Sequence, residues 1–260
     1  MHLLTPPDYS HKMQKGLGKG IAEAVLYLSP RTEAASDGLF VNLCPRASDA
    51  CFDNCLVHSG MMTYPAALAA RIRKTRLLVT EPATFGRLLV KDIAAHLRWA
   101  RKRDLAPAFR FNGTSDFYWE HFVVPHLGTT VHEHLIDLAP DAIVSEYTKR
   151  EYAMYRWLRG EYPENLHMTF SLHEQNERHA REVLRRGGNV AVVFRVKRHD
   201  PLPRTWWGHH VIDGDTDDLR WLDPRPSIVG LRYKRIAAWS LPTPFVIDPN
   251  EQQHTLEVAA

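Results

Sequence analysis

Cys44, Cys51 and Cys55 are the only cysteines in a chain of 260 residues, and one segment holds them all: Cys44-Pro-Arg-Ala-Ser-Asp-Ala-Cys51-Phe-Asp-Asn-Cys55. Thiols scattered through a chain fill core space. Thiols gathered in one short stretch can converge on a point, and thiolates converge to hold a metal. Three chemistries stay open. Three thiolates can ligate three irons of a four-iron cluster and leave the fourth open to a cofactor or substrate. Cys44, Cys51, Cys55 and His58 can instead form a Cys₃His zinc set, which is usually structural. The third option is three reduced thiols packed without metal. The intervening stretches of six, three and two residues match no standard zinc finger.

These thiols need elements to position them. Short apolar runs mark strands near residues 25, 109, 144, 168, 192 and 229. Helical spacing marks 64–79, 82–103 and 174–186, with Pro82 suited to a first turn and Gly187-Gly188 to a helix end. Val211-Ile212 is a candidate short extra strand. Strands separated by helices indicate parallel βαβ units. The expected fold is α/β, a partial (β/α) barrel with about six mainly parallel strands. A single barrel-like domain is expected over 1–260, with 1–20 and 241–260 peripheral. The glycines of Gly16-Leu-Gly18-Lys-Gly20 precede the first strand, whereas a dinucleotide loop follows one, so residues 1–20 read as a flexible lead-in. In such folds the loops at the carboxyl ends of the strands share one face. That face should collect the cysteine loop, Asn112 to Asp116, Glu146 to Lys149, Ser171, His173, Arg195 and Lys197. Tyr147, Lys149, Ser171, Arg195 and Lys197 are the expected lining of a substrate pocket, and their basic character favours an anionic substrate.

Composition bounds the partners. Apolar residues make up 44% and charged residues 24%, as in an ordinary globular protein. Lys and Arg number 33 against 30 acids, so the balance permits a nucleic-acid ligand without arguing for one. No run reaches membrane-spanning length, and Met1-His-Leu-Leu-Thr-Pro-Pro-Asp-Tyr-Ser-His lacks a signal-peptide core. The expected compartment is the cytoplasm, the host cytoplasm for a phage-borne gene. Clustered thiols there read as metal-binding or catalytic rather than as a disulfide framework.

Four further patterns have a bland and a functional reading. Counted from Asp213, positions six and twelve hold Asp218 and Pro224, which rejects an EF-hand. The run Asp213 to Asp223 is then a solvated turn, with an acid paired to Arg220, or a magnesium or substrate-hydroxyl site. His132-Glu-His134 could ligate metal from a strand but falls in helix or loop. Trp206-Trp207-Gly-His-His210 could stack on bases or anchor a loop. The basic stretch Arg71-Ile-Arg-Lys-Thr-Arg76 could put Arg71, Arg73 and Arg76 on phosphates, or be a solvated helix face.

Two resemblances follow from these residues. Cys44-Pro-x-Ala-Ser, Ala70 to Arg76, Phe109-Arg-Phe-Asn-Gly-Thr-Ser-Asp116, Tyr147-Thr-Lys149, Gly187 to Arg195 and Val211-Ile-Asp-Gly-Asp215 resemble an uncharacterised family of bacteriophage and prophage proteins over about residues 15–235. That likeness implies a phage or mobile-element origin. More distantly, a first strand, a three-cysteine loop and a polar glycine turn after the second strand resemble the radical S-adenosylmethionine enzymes. This second likeness implies that Cys44, Cys51 and Cys55 bind a 4Fe-4S cluster. It also implies that Asn112, Gly113, Ser115 and Asp116 hold S-adenosylmethionine. The cysteine spacing is wider than that family's, and Asp116 stands where a Glu is usual. The expectation is therefore an iron–sulfur enzyme acting on an anionic substrate such as a nucleotide or nucleic-acid base. The alternatives are a zinc-stabilised nucleic-acid-binding or replication-accessory protein and a zinc-bearing barrel transferase acting on bases.

Overall fold

In the computed structural model, which describes residues 1–9, 11–31, 38–234 and 243–250, each expected apolar run becomes a strand of one sheet. The strands are β1 (Leu4–Thr5), β2 (Ile21–Leu26), β3 (Ala106–Arg110), β6 (Ile143–Thr148), β7 (Leu166–Ser171), β8 (Val190–Phe194), β9 (Thr205–Trp206), β10 (His209–Asp213) and β11 (Ile228–Arg232). A separate hairpin pairs β4 (Val123–Val124) with β5 (Thr129–Thr130). The helices are α1 (His11–Leu17), α2 (Asp49–Asp53), α3 (Pro65–Thr80), α4 (Pro82–Arg101), α5 (Val131–Leu138), α6 (Glu151–Leu158) and α7 (Glu177–Arg185).

The order across the sheet is β1-β2-β3-β6-β7-β8-β11-β10-β9. From β2 to β11 the neighbours are parallel and follow chain order. Beyond β11, β10 is also parallel, while β1 and β9 pair antiparallel at the two edges. The fold is therefore mixed α/β with a largely parallel nine-stranded sheet. A doubly wound sheet reverses at a switch point. Here the six strands run in one direction without reversal, so right-handed crossovers carry their helices to one face.

That face holds the main core. Alternate strand residues Ala24, Leu26, Phe109, Phe111, Val144, Met168, Phe170, Val192 and Phe194 are buried with Phe85, Leu89, Ile93 and Leu97 of α4, Met154 of α6 and Val183 of α7. Full burial of each large apolar side chain stabilises by about 1.5–3 kcal/mol. The polar residues on α4's buried face have partners. Asp92 Oδ2 accepts the N–H groups of Leu3 and Leu4 at 2.5 and 3.1 Å, and His96 Nε2 lies 2.9 Å from the Ala22 carbonyl oxygen. The expected flexible lead-in is thus partly ordered structure: Leu3 is buried, β1 joins the sheet and α1 precedes β2. Sequence pattern missed this because two-residue strands have no period.

The opposite face mixes small apolar residues with polar ones, among them Glu23, Arg110, Ser145, Thr169 and Ser171. Its amino end is closed by Ile21, Ala108 and Ile143 packing with Leu219 and Trp221. The tail also reaches the sheet. Ile247 bridges Phe194, its carbonyl accepting from Arg195 N at 2.8 Å and its N–H donating to Val193 O at 2.9 Å. Residues 241–242 and 251–260 lie outside the described residues. Among the described residues, no helix is long and apolar enough to cross a membrane.

Candidate functional site

The cysteine loop is tied to several strand ends. Leu43 O accepts from Asp116 N at 2.8 Å, and Cys44 Sγ lies 3.9 Å from Thr114 O, so Cys44 rests on the turn after β3. Cys51 is buried in α2. Ser48 caps that helix by accepting from Cys51 N at 3.1 Å and donates to Glu174 Oε2, beyond β7, at 2.9 Å. Asn54 ends α2, donating to Thr243 Oγ1 at 2.9 Å and accepting from the Tyr233 hydroxyl at 2.5 Å. Cys55 follows directly. None of the three is in a disulfide.

The three thiols share one cationic neighbour. Burial opposes the charge on Lys149, yet Cys51, Asp116, Cys44 and Cys55 hold its pKa above the ordinary lysine value. Its ammonium donates to Ser171 Oγ at 3.3 Å. Burial pushes the Cys44 thiol up strongly, the Asp116 charge adds to this, and Lys149 offsets only part. Cys44 is therefore a neutral thiol at neutral pH, and a metal would have to displace its proton. Among the described residues, no three His, Cys, Asp or Glu side chains stand as a ready metal-holding group. The three thiols form no such group, with or without His58, which is exposed.

The turn after β3 is a built support. Asn112 Oδ1 accepts from Ser115 Oγ, Phe117 N and Trp119 Nε1 at 2.8, 2.8 and 3.1 Å. Gly113 passes so close to β2 that a Cβ would meet Tyr27 Cδ1 and Val25 Cγ1 at 2.6 Å and Leu26 O at 2.8 Å. Asp116 accepts from Thr148 Oγ1 at 2.9 Å, Lys149 N at 2.8 Å and Arg150 Nε at 3.0 Å, while Arg150 also pairs with Glu120. The buried Glu146 carboxyl spans the N–H groups of Phe111 and Asn112, each at 3.0 Å. Burial raises its pKa to about 8, against those N–H groups, Arg110 and Arg150. The side chains of Asn112, Ser115 and Asp116 thus hold the turn and the start of the Lys149 loop.

Of the expected pocket residues, Tyr147, Ser171 and Arg195 fall on the sheet face opposite the main core, toward its carboxyl end. Tyr27, Tyr147, Lys149, Ser171, Val193, Arg195 and Leu231 are half-buried, whereas most of their neighbours on the helix-covered face are fully buried. Arg195 reaches over the Tyr233 ring, 5.9 Å from its centroid, and Lys197 is exposed farther out. His173 is buried, and burial with the Lys149 charge lowers its pKa. On the same face, Arg110 pairs with Glu23 Oε2 at 2.7 Å and Asp218 Oδ2 at 3.1 Å. Burial pushes the Tyr27 phenol up to about 12 and Tyr147 higher still. Tyr27, Arg110, Ser145, Glu120 and Arg150 escaped the sequence reading. The available signal was the period of two that puts Glu23, Arg110, Ser145 and Tyr147 on one face.

The other motifs take structural roles. Asp213 and Asp215 pair with Arg232 at 2.9 and 3.4 Å, and Asp217 pairs with Lys19 at 2.6 Å and Arg220 at 3.1 Å. The acidic run is thus a set of ion pairs. His132 is buried in α5, and burial lowers its pKa to about 4. Trp206 is in the core, and Arg181 covers Trp207 at 4.1 Å from the ring centroid. The expected phosphate-binding stretch divides: Arg71 is buried with NH1 on Met62 O at 2.9 Å, whereas Arg73 and Arg76 are exposed. Arg71 is therefore corrected from a phosphate contact to an internal support. An open depression bounded by Tyr155, Glu182 and Arg186 lies on α6 and α7, on the helical side.

Residues 8–247 match the family described as Gene product 88. No curated protein and no solved structure matches the chain. The chain belongs to the Gene product 88 family, a family of phage proteins.

Proposed function

We propose that this member of the Gene product 88 family is an iron–sulfur enzyme, similar to radical S-adenosylmethionine enzymes, acting on an anionic substrate such as a nucleotide or nucleic-acid base. What supports the reading is that Cys44, Cys51 and Cys55 all act as charged neighbours of Lys149, which follows the parallel strand β6. Six parallel strands in chain order support the finer reading of a partial (β/α) barrel, whose lumen would be the face opposite the main core. The host cytoplasm would keep the thiols reduced.

Cys44, Cys51 and Cys55 would hold the cluster, and the turn Asn112 to Asp116 would flank S-adenosylmethionine beside it. Bound there, the pair would supply one-electron chemistry. The chain's own residues supply charge and position. Lys149 offsets thiolate charge from its place beside Ser171. Arg195 and Lys197 draw an anion to the mouth, and Tyr147 lines the wall.

The zinc readings need His58 as fourth ligand, and His58 is exposed. Purification without oxygen, followed by iron, zinc and sulfide analysis, tests the proposal. About four irons with sulfide and broad visible absorption are expected. One zinc without iron would overturn the reading in favour of a zinc protein. His58→Ala should leave the iron content unchanged.

A further inference from the structure

The open depression bounded by α6 and α7 has a volume of about 810 Å³. Arg178, Arg181, Arg185 and Arg186 line it with Tyr155 and His179, and its acids are Glu177 and Glu182. Four arginines against two glutamates leave an excess of two positive charges. The whole chain has an excess of three, so this one patch holds most of it.

Helix energetics account for part of the cluster. Arg185 and Arg186 stand at the carboxyl end of α7, where cations offset the helix dipole, and each pairs with Glu182 at 2.5 Å. Arg181 pairs with Glu177, four residues earlier, at 2.8 Å. Arg178 has no such explanation. It sits in the first turn, where the dipole disfavours a cation, and among the described residues it has no acidic partner. Arg178, Arg181 and Arg185 follow at spacings of three and four, so they form a row about 10 Å long on one face of the helix.

Rings hold the guanidinium groups in place. Arg181 lies over Trp207 and Arg186 over Tyr155, 4.1 and 4.9 Å from the ring centroids. Each donates to its acid through Nε, which leaves the terminal amino groups outside those pairs. A planar fork held this way suits phosphate oxygens. The pattern continues across α6, where Arg156 covers Tyr162 at 4.9 Å and Arg225 covers Trp157 at 5.1 Å. These contacts also take up ring faces on which bases would stack.

We propose that α6 and α7 form a docking surface for the phosphate backbone of a nucleic-acid duplex, contacted by Arg178, Arg181 and Arg185 without readout of bases. Charge complementarity points to a polyphosphate chain. The covered rings point away from a single strand, which binds largely by stacking. A duplex also carries a charge about every 1.7 Å along its axis, twice the density of one strand. The inference goes beyond the iron–sulfur reading and does not rest on it.

The test is fluorescence anisotropy with the full chain, purified without oxygen, and two short DNA duplexes of unrelated sequence. Both should bind alike, and affinity should fall steeply between about 50 and 200 mM salt. Arg178→Gln combined with Arg185→Gln should weaken both duplexes by about tenfold or more at the lower salt. The slope of log affinity against log salt should flatten by about 2. Arg178→Gln alone should flatten it by about 1, with an unchanged melting temperature, because that side chain has no acidic partner to lose. It carries the test if the double variant melts early. Arg73→Gln combined with Arg76→Gln, on the basic helix α3, should change binding little. The inference is overturned if neither duplex binds at about 50 mM salt, if the α7 variants bind as the wild type does, or if the α3 pair loses as much. Tighter binding of a single strand than of the duplex would also overturn it. So would polyglutamate binding as tightly as the duplex, which would make the occupant an acidic protein. Iron content is read on the same preparations. Duplex binding without iron sinks the cluster reading alone, and an iron cluster without duplex binding sinks this inference alone.

Discussion

Asp116→Asn separates two roles for the acid that follows the glycine turn. As a cofactor contact it would cost binding and leave the fold intact. The geometry makes it a clamp: its oxygens accept from Thr148 Oγ1, Lys149 N and Arg150 Nε within 3.0 Å, and the residue is 4% exposed. Asn keeps the shape but has one acceptor oxygen and one amide nitrogen. Whichever way it turns, its NH₂ faces a donor, either Lys149 N–H or the Thr148 and Arg150 pair. One buried donor left unsatisfied costs about 1–3 kcal/mol. Losing one partner of a buried ion pair costs about 3–5 kcal/mol, and here Glu120, which also pairs with Arg150, offsets part of it. The terms share atoms and do not add, so about 2–4 kcal/mol is expected. At about 2–4 °C per kcal/mol for a chain of this size, melting should fall by roughly 5–15 °C. Asp116→Glu sharpens the test, because it adds a methylene to a closed clamp and should cost about 1–3 kcal/mol. Urea unfolding and thermal melts read both variants, and titration with S-adenosylmethionine reads binding. Unchanged stability of both variants, with binding lost in Asp116→Asn and kept in Asp116→Glu, would refute the clamp and restore the ligand role.

The remaining predictions concern burial and close approach. Glu146 is held up at about 8, above the ordinary 4.5, so between those pH values the fold keeps a proton that the unfolded chain releases. Its contribution is full below about pH 4.5 and lost as pH rises through 8, at up to roughly 1.4 kcal/mol per unit; urea midpoints across pH 5 to 8 should fall less steeply in Glu146→Gln. Burial keeps Cys44 protonated, so in metal-free protein its alkylation at pH 8 should be slow and speed up in urea, as peptide mapping would show. Equal rates in the two conditions would count against it. Gly113→Ala should cost about 1–3 kcal/mol, since the new methyl meets backbone at Leu26 O as well as two side chains; a melt within error of wild type would show that β2 yields.

Much of the fold was legible because parallel strands buried on one face read as apolar runs. Ile143–Thr148, Val190–Phe194 and Ile228–Arg232 contain the expected positions 144, 192 and 229, and α4 lies inside its expected range. What escaped has no period to detect. β1 depends on Asp92, almost ninety residues away, accepting from two backbone N–H groups. The tail depends on Ile247 finding the exposed backbone edge of Val193 and Arg195. Polar and proline-containing composition describes such a segment's solvent exposure, not its hydrogen bonds.

The site was legible as residue types and not as roles. Lys149 and Ser171 meet as the shared carboxyl-end face requires, because a common strand direction is a topological fact that chain order reveals. Asp116 shows the limit. A carboxylate that clamps Arg150 and one that faces a ligand occupy the same position after the same glycine, and only the distant Thr148 and Arg150 distinguish them. The cysteine spacing is the converse case, where structure explains an oddity of sequence. Between Cys44 and Cys51 the chain must close a turn, with Ala47 N donating to Cys44 O at 3.0 Å, and then start a helix capped by Ser48. A shorter stretch would omit the cap. The wide interval is therefore the length of a turn plus a helix start, and through Glu174, Tyr233 and Thr243 it fastens the thiols to the loops beyond β7 and β11 and to the tail.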